Sequence, residues 1–390
     1  MVDYALCGAG LQNCLLVAAL RDISPKRSFT LLEAETVAGN HTWCFYGSDL
    51  SERARAFVRP MVTHQWPRYE VRFPDYFRVM ETSYSMMASG DVAAHVERIA
   101  SQAPGRLEVG TAVGHAEAER VTLEDGTTRE AAVVVDARGA RKPAVRCGYQ
   151  KFYGEEVTLA EDHDILHPIV MDATVPQVDG YRFMYVLPLG SRHLLVEDTS
   201  FSSTADLDDD NRRAGIRDWL TRQRLSIRHV LRTERGVLPM PIERDSGRQA
   251  ERGNAPESQG AIEGGYRGGW FHPGTGYSVA LAAQLAELVA GTATDVVAAV
   301  VARAARERER GAGFYRLLNR MLFDHYRPED RRSIFQRFYR MPASLIERFY
   351  AMACTPGDKT RLLLGKPPRG FHLRRPAAQS LAASHPGKAA

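Results

Sequence analysis

An α/β fold is predicted by three stretches of the sequence, each with its own period. "YALCGAGLQNCLLVAAL", residues 4 to 20, reads as a short strand, a glycine turn and a helix, and "SFTLLEAE" follows as a second strand. Leu11, Leu15 and Ala18 recur at helical spacing and "ISP" closes the helix, so the chain opens on a strand–helix–strand unit. "YRFMYVLPL" alternates with period two instead, placing Phe183, Tyr185, Leu187 and Leu189 on one face. "GSRH" then makes a turn and "LLVEDT" returns, which predicts a separate antiparallel sheet. From about Arg303 to Tyr350 the chain reads as helical, arginine-rich and aromatic.

The remaining elements follow in order. "ERVTLEDGTTREAAVVVDARG" predicts a hairpin turning at Asp125-Gly126 and leading into a buried strand, Val133 to Val135. Residues 244 to 260 are polar and glycine-containing, a surface loop. After "GGWFHPGTGYS" a late helix is marked by Leu281, Leu285 and Leu288, and the tail beyond Gly365 is broken by prolines. No internal repeat is evident.

Length and composition exclude several classes. At 390 residues the chain exceeds what one small core needs, so two or three domains are expected. A hydrophobic share of 44% with 25% charged residues excludes collagen-like and disordered classes. The net charge of +4 is too mild to imply nucleic acid, and no basic run carries a nucleic-acid motif. The five cysteines are scattered and form no C-x-x-C, which argues against a zinc site or other metal and against a disulfide framework, and fits a reducing compartment. A strand starts almost at the N-terminus, leaving no room for a signal peptide. The most apolar stretch, Val279 to Ala302, is interrupted by Gln284, Glu287 and Asp295, so no spanning helix is expected. A cytoplasmic protein able to touch a membrane surface is the resulting expectation.

The opening unit carries a dinucleotide signal. Gly8 permits the tight turn after the strand, and Gly10 lets backbone approach a pyrophosphate that the helix N-terminus would attract. Glu33 ends the second strand 25 residues after Gly8, where a carboxylate would bind a ribose hydroxyl, and Asn13 stands at the third position of G-x-G-x-x-G. This predicts a Rossmann-type domain. Two later segments favour FAD over NAD: "VVVDARG", with Asp136 and Gly139, resembles the second flavin-contacting strand of FAD enzymes, and "GTGYS" opens the late helix with Gly274, Thr275, Gly276 and Tyr277. Ordinary sheet-to-helix turns are the plain alternative for each.

The sequence resembles the bacterial lycopene β-cyclase family of flavin-dependent carotenoid enzymes. The matching stretches are "GAGLQN", "LLEAE", "GNHTWCF", "VVDARG", "GYQKFYGEEV", "PIVMDATVPQVDGYRFMYVLPL", "LLVEDT", "GVLP", "FHPGTGYS", "FYRLLNRMLF", "RFYRMP" and "LLLGKPP". Departures are local: the family's "HPTTGYS" followed by Leu-Pro has Gly274 and Val279-Ala280 here, and Cys14 replaces a small residue. The resemblance implies an FAD-binding α/β fold with an antiparallel-sheet substrate domain and a C-terminal helical segment. Residues 1–50, 85–148 and 261–300 would form the FAD domain, 51–84 and 149–260 the substrate domain, 301–365 the helical region and 366–390 a loose basic tail.

Two adjacent acids, Glu197 and Asp198, are the catalytic candidates. In a strand Leu195, Glu197 and Thr199 point one way and Val196 and Asp198 the other, so only one acid can face a given pocket. The resemblance implies that this is Glu197, the essential acid of the "EDT" motif. The implied activity is the cyclisation of lycopene through γ-carotene to β-carotene, a non-redox isomerisation. A carboxyl group in an apolar tunnel stays protonated, adds its proton to a terminal C=C and later takes a different one back. FAD kept reduced by NAD(P)H or another donor would face the cation with negative charge. The plain alternative is that Glu197 caps a hydrogen-bond network while Asp198 is solvated.

Other residues carry open readings. His41 and Trp43 in "GNHTWCF" belong near flavin or substrate, or to a turn around a buried Trp, and His272 reads as structural or flavin-adjacent. Tyr181, Phe183, Tyr185 and Phe201 line a polyene tunnel or form plain core. Residues 303 to 348 hold twelve arginines against six acids, and the chain from Lys366 onward holds five basic residues and no acid. Those segments suit an anionic bilayer, or a salt-bridged face with a loose tail. The functional alternative is a redox flavoenzyme of similar fold, an aromatic hydroxylase or isoprenoid reductase; the Gly-Asp that hydroxylases commonly carry before the late helix is missing from "GGWFHPGTG".

Overall fold

The structure, a computed structural model, describes residues 1–139, 145–244, 260–364 and 370–372. Most of the polar loop at 244–260 and most of the basic tail therefore lie outside the described residues.

The opening unit forms as its periods require. Strand Val2–Cys7 lies parallel to Phe29–Glu33 on one side and to Thr128–Asp136 on the other, with Cys7 opposite both Leu32 and Asp136. Strand Gly105–Val109 extends this sheet beyond Phe29–Glu33, and Ile262–Glu263 also pairs in parallel with Thr128–Asp136. The Asp125-Gly126 hairpin forms between Arg120–Leu123 and Thr128–Asp136, with Gly126 at φ +85°. Helix Leu11–Ile23 buries Leu15, Leu16 and Ala19 against the late helix Val279–Ala290, whose Leu281 and Leu285 are buried while Leu288 is half-exposed. A three-stranded sheet of Thr42–Tyr46, Tyr84–Ala88 and His64–Trp66 stands beside this domain.

The second seven-stranded sheet runs Ile227–Pro241, Cys147–Leu159, His193–Ser202, Tyr181–Gly190, Ile169–Asp172, Tyr69–Phe73, Tyr76–Met80. It is antiparallel except where Ile169–Asp172 meets Tyr69–Phe73. Its faces are sorted by the pleat. Leu194, Val196, Met184 and Val186 pack against helix Asp209–Arg222 through Ile216, Trp219 and Leu220. Leu195, Phe201, Tyr181, Phe183, Tyr185 and Leu187 face the opposite way, into an aromatic core shared with the C-terminal helices.

The C-terminal region is helical in pieces. Helix Val297–Asp324 ends before Pro328, and Arg332–Tyr339, Ala343–Tyr350 and Pro356–Leu363 follow, separated where Pro342 and Pro356 cannot continue a helix. Its arginines are not one basic face. Arg331 is only 1% exposed and donates to the carbonyls of Leu322 and Phe201, while Arg348 pairs with Asp358 and Arg316 with Glu309.

Candidate functional site

The glycine turn builds an open helix end. Gly8 sits at φ +84°, and a Cβ there would lie 3.1 Å from the Arg138 Cα, so a close approach of the two strand ends demands glycine. Gly10 caps helix Leu11–Ile23 without any side-chain hydrogen bond, and nothing lies within 4 Å of where its Cβ would be. The first N–H groups of the helix are thus left toward open space, an arrangement that can take an anionic pyrophosphate. Asn13 turns inward: its Nδ2 donates to Cys7 O (3.0 Å) and Gly8 O (2.8 Å), while Oδ1 is buried without a partner. Glu33 braces the turn, accepting from Ala9 N (2.5 Å) and Glu35 N (2.9 Å).

Asp136 stands opposite Cys7 in the register, so it shares the sheet end with Gly8. It takes two hydrogen bonds of 2.9 Å from Arg138 and lies 3.4 Å from Arg267 Nε. Burial works to raise its pKa, but the Arg138 hydrogen bonds and the charge of Arg267 hold the carboxyl below its ordinary range. Gly139 follows at φ +53°. Gly274, Thr275, Gly276 and Tyr277 join this end through the second helix: Gln12 Nε2 donates to Ala282 O (3.0 Å), so helices Leu11–Ile23 and Val279–Ala290 begin side by side. Gly276, at φ +75°, abuts Leu238 of the second sheet, where a Cβ would come within 2.9 Å. His272 is locked by Phe349 O (2.9 Å) and Gly274 N (3.1 Å), and burial lowers its pKa to about 4, which suits a structural imidazole.

The second half of the site lies across that contact. Glu197 is the odd-face residue of its strand, and the pleat sends its carboxyl among Cys44, Tyr185 and Tyr277. Gly154 is its partner on strand Cys147–Leu159, and the same Gly154 pairs on its other side with Glu234. Three strands therefore present Glu197, a glycine and Glu234 in one row. A Cβ at Gly154 would lie 2.7 Å from the Glu197 Cγ and 3.4 Å from the Glu234 Cγ, so the missing side chain is what lets two carboxyls converge. Glu234 Oε2 accepts from Arg232 Nη1 (2.7 Å) and Thr42 Oγ1 (3.0 Å), whereas its buried Oε1 receives no other donor. Burial, and next the facing Glu234, push the Glu197 carboxyl well above the usual carboxylate range against the opposing charge of Arg232.

Asp198 is a correction to the expectation of a catalytic pair and equally to that of a solvated acid. It points to the helix-covered face, is 0% exposed, and binds Arg182 (Nε 2.9 Å, Nη2 2.5 Å) and Arg212 (Nη1 2.8 Å). Its hydrogen bonds to two guanidinium groups anchor helix Asp209–Arg222, away from Glu197. Of the aromatic stripe, only Tyr185 stands beside Glu197, with its hydroxyl 3.0 Å from that of Tyr84. Tyr181, Phe183 and Phe201 are core: Tyr181 stacks on Phe335 at 4.0 Å and Phe201 meets both edge-on. His41 lies beside Trp43 (5.7 Å between centroids) and in the field of Glu234 and Arg232, on the carboxyl side of the site rather than at the Gly8–Gly10 turn. Desolvation lowers its pKa.

Sequence reasoning missed Glu234, Arg232 and Gly154. The alternation of Arg232, Glu234, Gly236 and Leu238 marks one strand face, but only the strand register puts that face beside Glu197.

Comparison with known proteins gives the family of the chain. A family model described as lycopene cyclase protein matches residues 3–375. The chain is 39% identical over 374 residues to a lycopene beta-cyclase of Pantoea ananas, covering 94% of this chain and 95% of that one. It is 40% identical over 372 residues to a lycopene beta-cyclase of Paracoccus sp. (strain N81106 / MBIC 01143), covering 94% of each. Among solved structures, a geranylgeranyl bacteriochlorophyll reductase-like protein from Thermoplasma acidophilum shares the fold at TM-score 0.61 and 11% identity, over 93% of this chain and 95% of that one. The flavin-dependent brominase Bmp2 does so at TM-score 0.59 and 14% identity, over 90% and 94%. The chain belongs to the lycopene cyclase family.

Proposed function

We propose that this chain is a lycopene β-cyclase that closes the linear ends of lycopene into β-rings, through γ-carotene to β-carotene, by acid–base isomerisation with no net electron flow. Family membership and relatives near 39% identity along nearly the whole chain support the activity. The observation that carries the mechanism is Glu197: a carboxyl whose burial and carboxylate neighbour keep it protonated in an aromatic recess. The protonated Glu197 adds its proton to a terminal C=C, the cation is attacked by a neighbouring double bond, and the ionised Glu197 takes up the proton that leaves the ring. Tyr185, opposite Glu197 in the strand register, and Tyr277 would shield the cation from water.

FAD fits the other half. Gly8, Gly10 and the helix end behind them would hold the pyrophosphate and Glu33 the ribose, with Asn13 bracing the turn from within and Asp136, Gly139 and Gly274 to Tyr277 along the cofactor's length; the open cradle at Gly10 supports this. Flavin held by these residues would, when kept reduced by NAD(P)H or another donor, supply negative charge to offset the cation. Strands of the first sheet fall within 1–50, 85–148 and 261–300, the residues we assign to the FAD unit; 51–84 and 149–260 carry the substrate sheet, joined by the three-stranded sheet that draws on both.

We also place the protein at a membrane surface, where its C40 substrate resides. No helix of the described residues is long and apolar enough to cross a membrane. Exposed Phe77 (58%) and Leu364 (65%) flank helix Arg332–Tyr339, to which Arg78 and Arg337 tie them.

Expression in lycopene-accumulating cells tests the function. Wild-type protein should turn red pigment to yellow-orange β-carotene, and Glu197→Gln should retain flavin yet leave lycopene unchanged. Because the proton must be on Glu197 at the start, cyclisation should fall as pH rises through its elevated pKa. Normal turnover by Glu197→Gln would sink the mechanism.

A further inference from the structure

The row of Glu197, Gly154 and Glu234 does more than place one acid beside aromatic side chains. Two carboxyls that face each other across a glycine cannot both ionise without repulsion, so one proton between them is the favoured state. Their surroundings decide where it rests. Arg232 and Thr42 both donate to Glu234 Oε2, and Arg232 is itself held by Glu156 Oε2 (2.6 Å), whose Oε1 lies 2.9 Å from His193. Fixed donors thus take Glu234 Oε2 alone, and its Oε1 is the acceptor left for a proton on Glu197.

We infer that Glu234 is the positioning residue of the acid: an ionised carboxylate that shares the Glu197 proton across Gly154. The inference rests on Glu197 being the acid of the proposed reaction. In that reaction the Glu197 O–H bond breaks as the new C–H bond forms at the polyene end. The electron pair of the alkene makes that bond and leaves a cation. The electron pair of a neighbouring C=C then attacks that cation, forming the ring C–C bond and moving the positive charge into the ring. A ring C–H then breaks, its electron pair forms the ring double bond, and its proton restores the Glu197 O–H. Glu234 stays ionised throughout. While Glu197 is also ionised, its charge adds to those of Glu234 and Glu156 around a single Arg232, so the recess carries surplus negative charge opposite the cation and draws the second proton to Glu197. A lone buried acid would do the first step and lack this pull for the last.

The groups facing the pair come from every element around it. Arg232 lies on the Glu234 strand, and Glu156 lies on the Gly154 strand. Cys44, Thr42 and His41 come from the start of the small sheet, Tyr185 from the adjacent strand, and Tyr277 from the "GTGYS" turn. Desolvation opposes ionisation of the thiol and of both phenols, so Arg232 is the charge that competes with the shared proton.

Infrared titration of the purified full-length chain reads this directly, together with the pH profile of cyclisation. The wild type should show a protonated carboxyl band near neutral pH that Glu197→Gln removes. In Glu234→Gln that band should vanish at a pH lower by about one unit or more, because the like-charge partner is gone. The basic limb of the cyclisation profile should shift equally, and Glu234→Asp should restore both. Arg232→Gln should move the band the other way, to higher pH, which keeps the test alive should Glu234→Gln fold poorly. A band that titrates at one pH in the wild type, Glu234→Gln and Arg232→Gln alike overturns the inference. Active Glu197→Gln alongside the expected band shifts in Glu234→Gln and Arg232→Gln would instead sink the proposed mechanism and leave the proton-sharing pair standing, so the two failures are distinguishable.

Discussion

Gly154→Ala probes the site through a single methyl group. The added Cβ would sit 2.7 Å from the Glu197 Cγ and 3.4 Å from the Glu234 Cγ. Carbon atoms rest at about 3.5–4.0 Å, so the Glu197 side chain must retreat by about 1 Å while Glu234 hardly moves. Displacements of that size in a reacting group cost about 10²-fold in rate. Stability should change little, because overpacking of about 1–3 kcal/mol is offset in part by the 0.5–1 kcal/mol that alanine gains over glycine in a strand. Gly154 carries no positive φ that would add strain among the described residues. The assay is β-carotene formed per bound flavin, alongside a thermal melt. Loss of about two orders of magnitude in turnover with a melting temperature within several degrees is expected. Wild-type turnover in Gly154→Ala would refute the convergence of the two carboxyls as the basis of catalysis.

Three further outcomes test other parts of the reading. Asp198→Asn should cost about 3 kcal/mol of stability, since it takes the carboxylate partner from Arg182 and one of two from the buried Arg212, which keeps Asp179, while protein that remains folded keeps its flavin and turnover; chemical denaturation with flavin quantitation checks this. Gly10→Ala meets no atom within 4 Å, so the flavin-free protein should unfold within about 0.5 kcal/mol of wild type while flavin retention drops, measured by absorbance after gel filtration. Sedimentation with anionic liposomes should pellet the protein at low salt and release part of it at high salt; no pelleting at any ionic strength would remove the membrane assignment.

Local periods in the amino-acid sequence make much of this fold legible. The 3.6-residue recurrence of Leu11, Leu15 and Ala18 and the Gly8–Gly10 turn specify a helix whose open end follows a strand, and that unit is built accordingly. Alternation also sorts Glu197 from Asp198, because a strand has two faces whatever it packs against. The errors arise where partners are distant in sequence. Asp198 reads as catalytic or solvated because Arg182 and Arg212 lie on other elements; the arginine-rich region leaves a bilayer-facing and a salt-bridged reading open because partners such as Asp358 for Arg348 and the Phe201 carbonyl for Arg331 are set by the fold.

What the sequence alone determined, then, is which face each side chain takes and where a helix end stands open, since both depend on bond geometry and nearest neighbours. The tertiary structure decided which faces meet. Strand register put Glu234 and Glu197 on either side of Gly154, and the contact of the Gly276 turn with Leu238 brought the glycine cradle against that row. Proton affinity depends on charges within a few ångströms, and for Glu197 those charges lie tens of residues away along the chain.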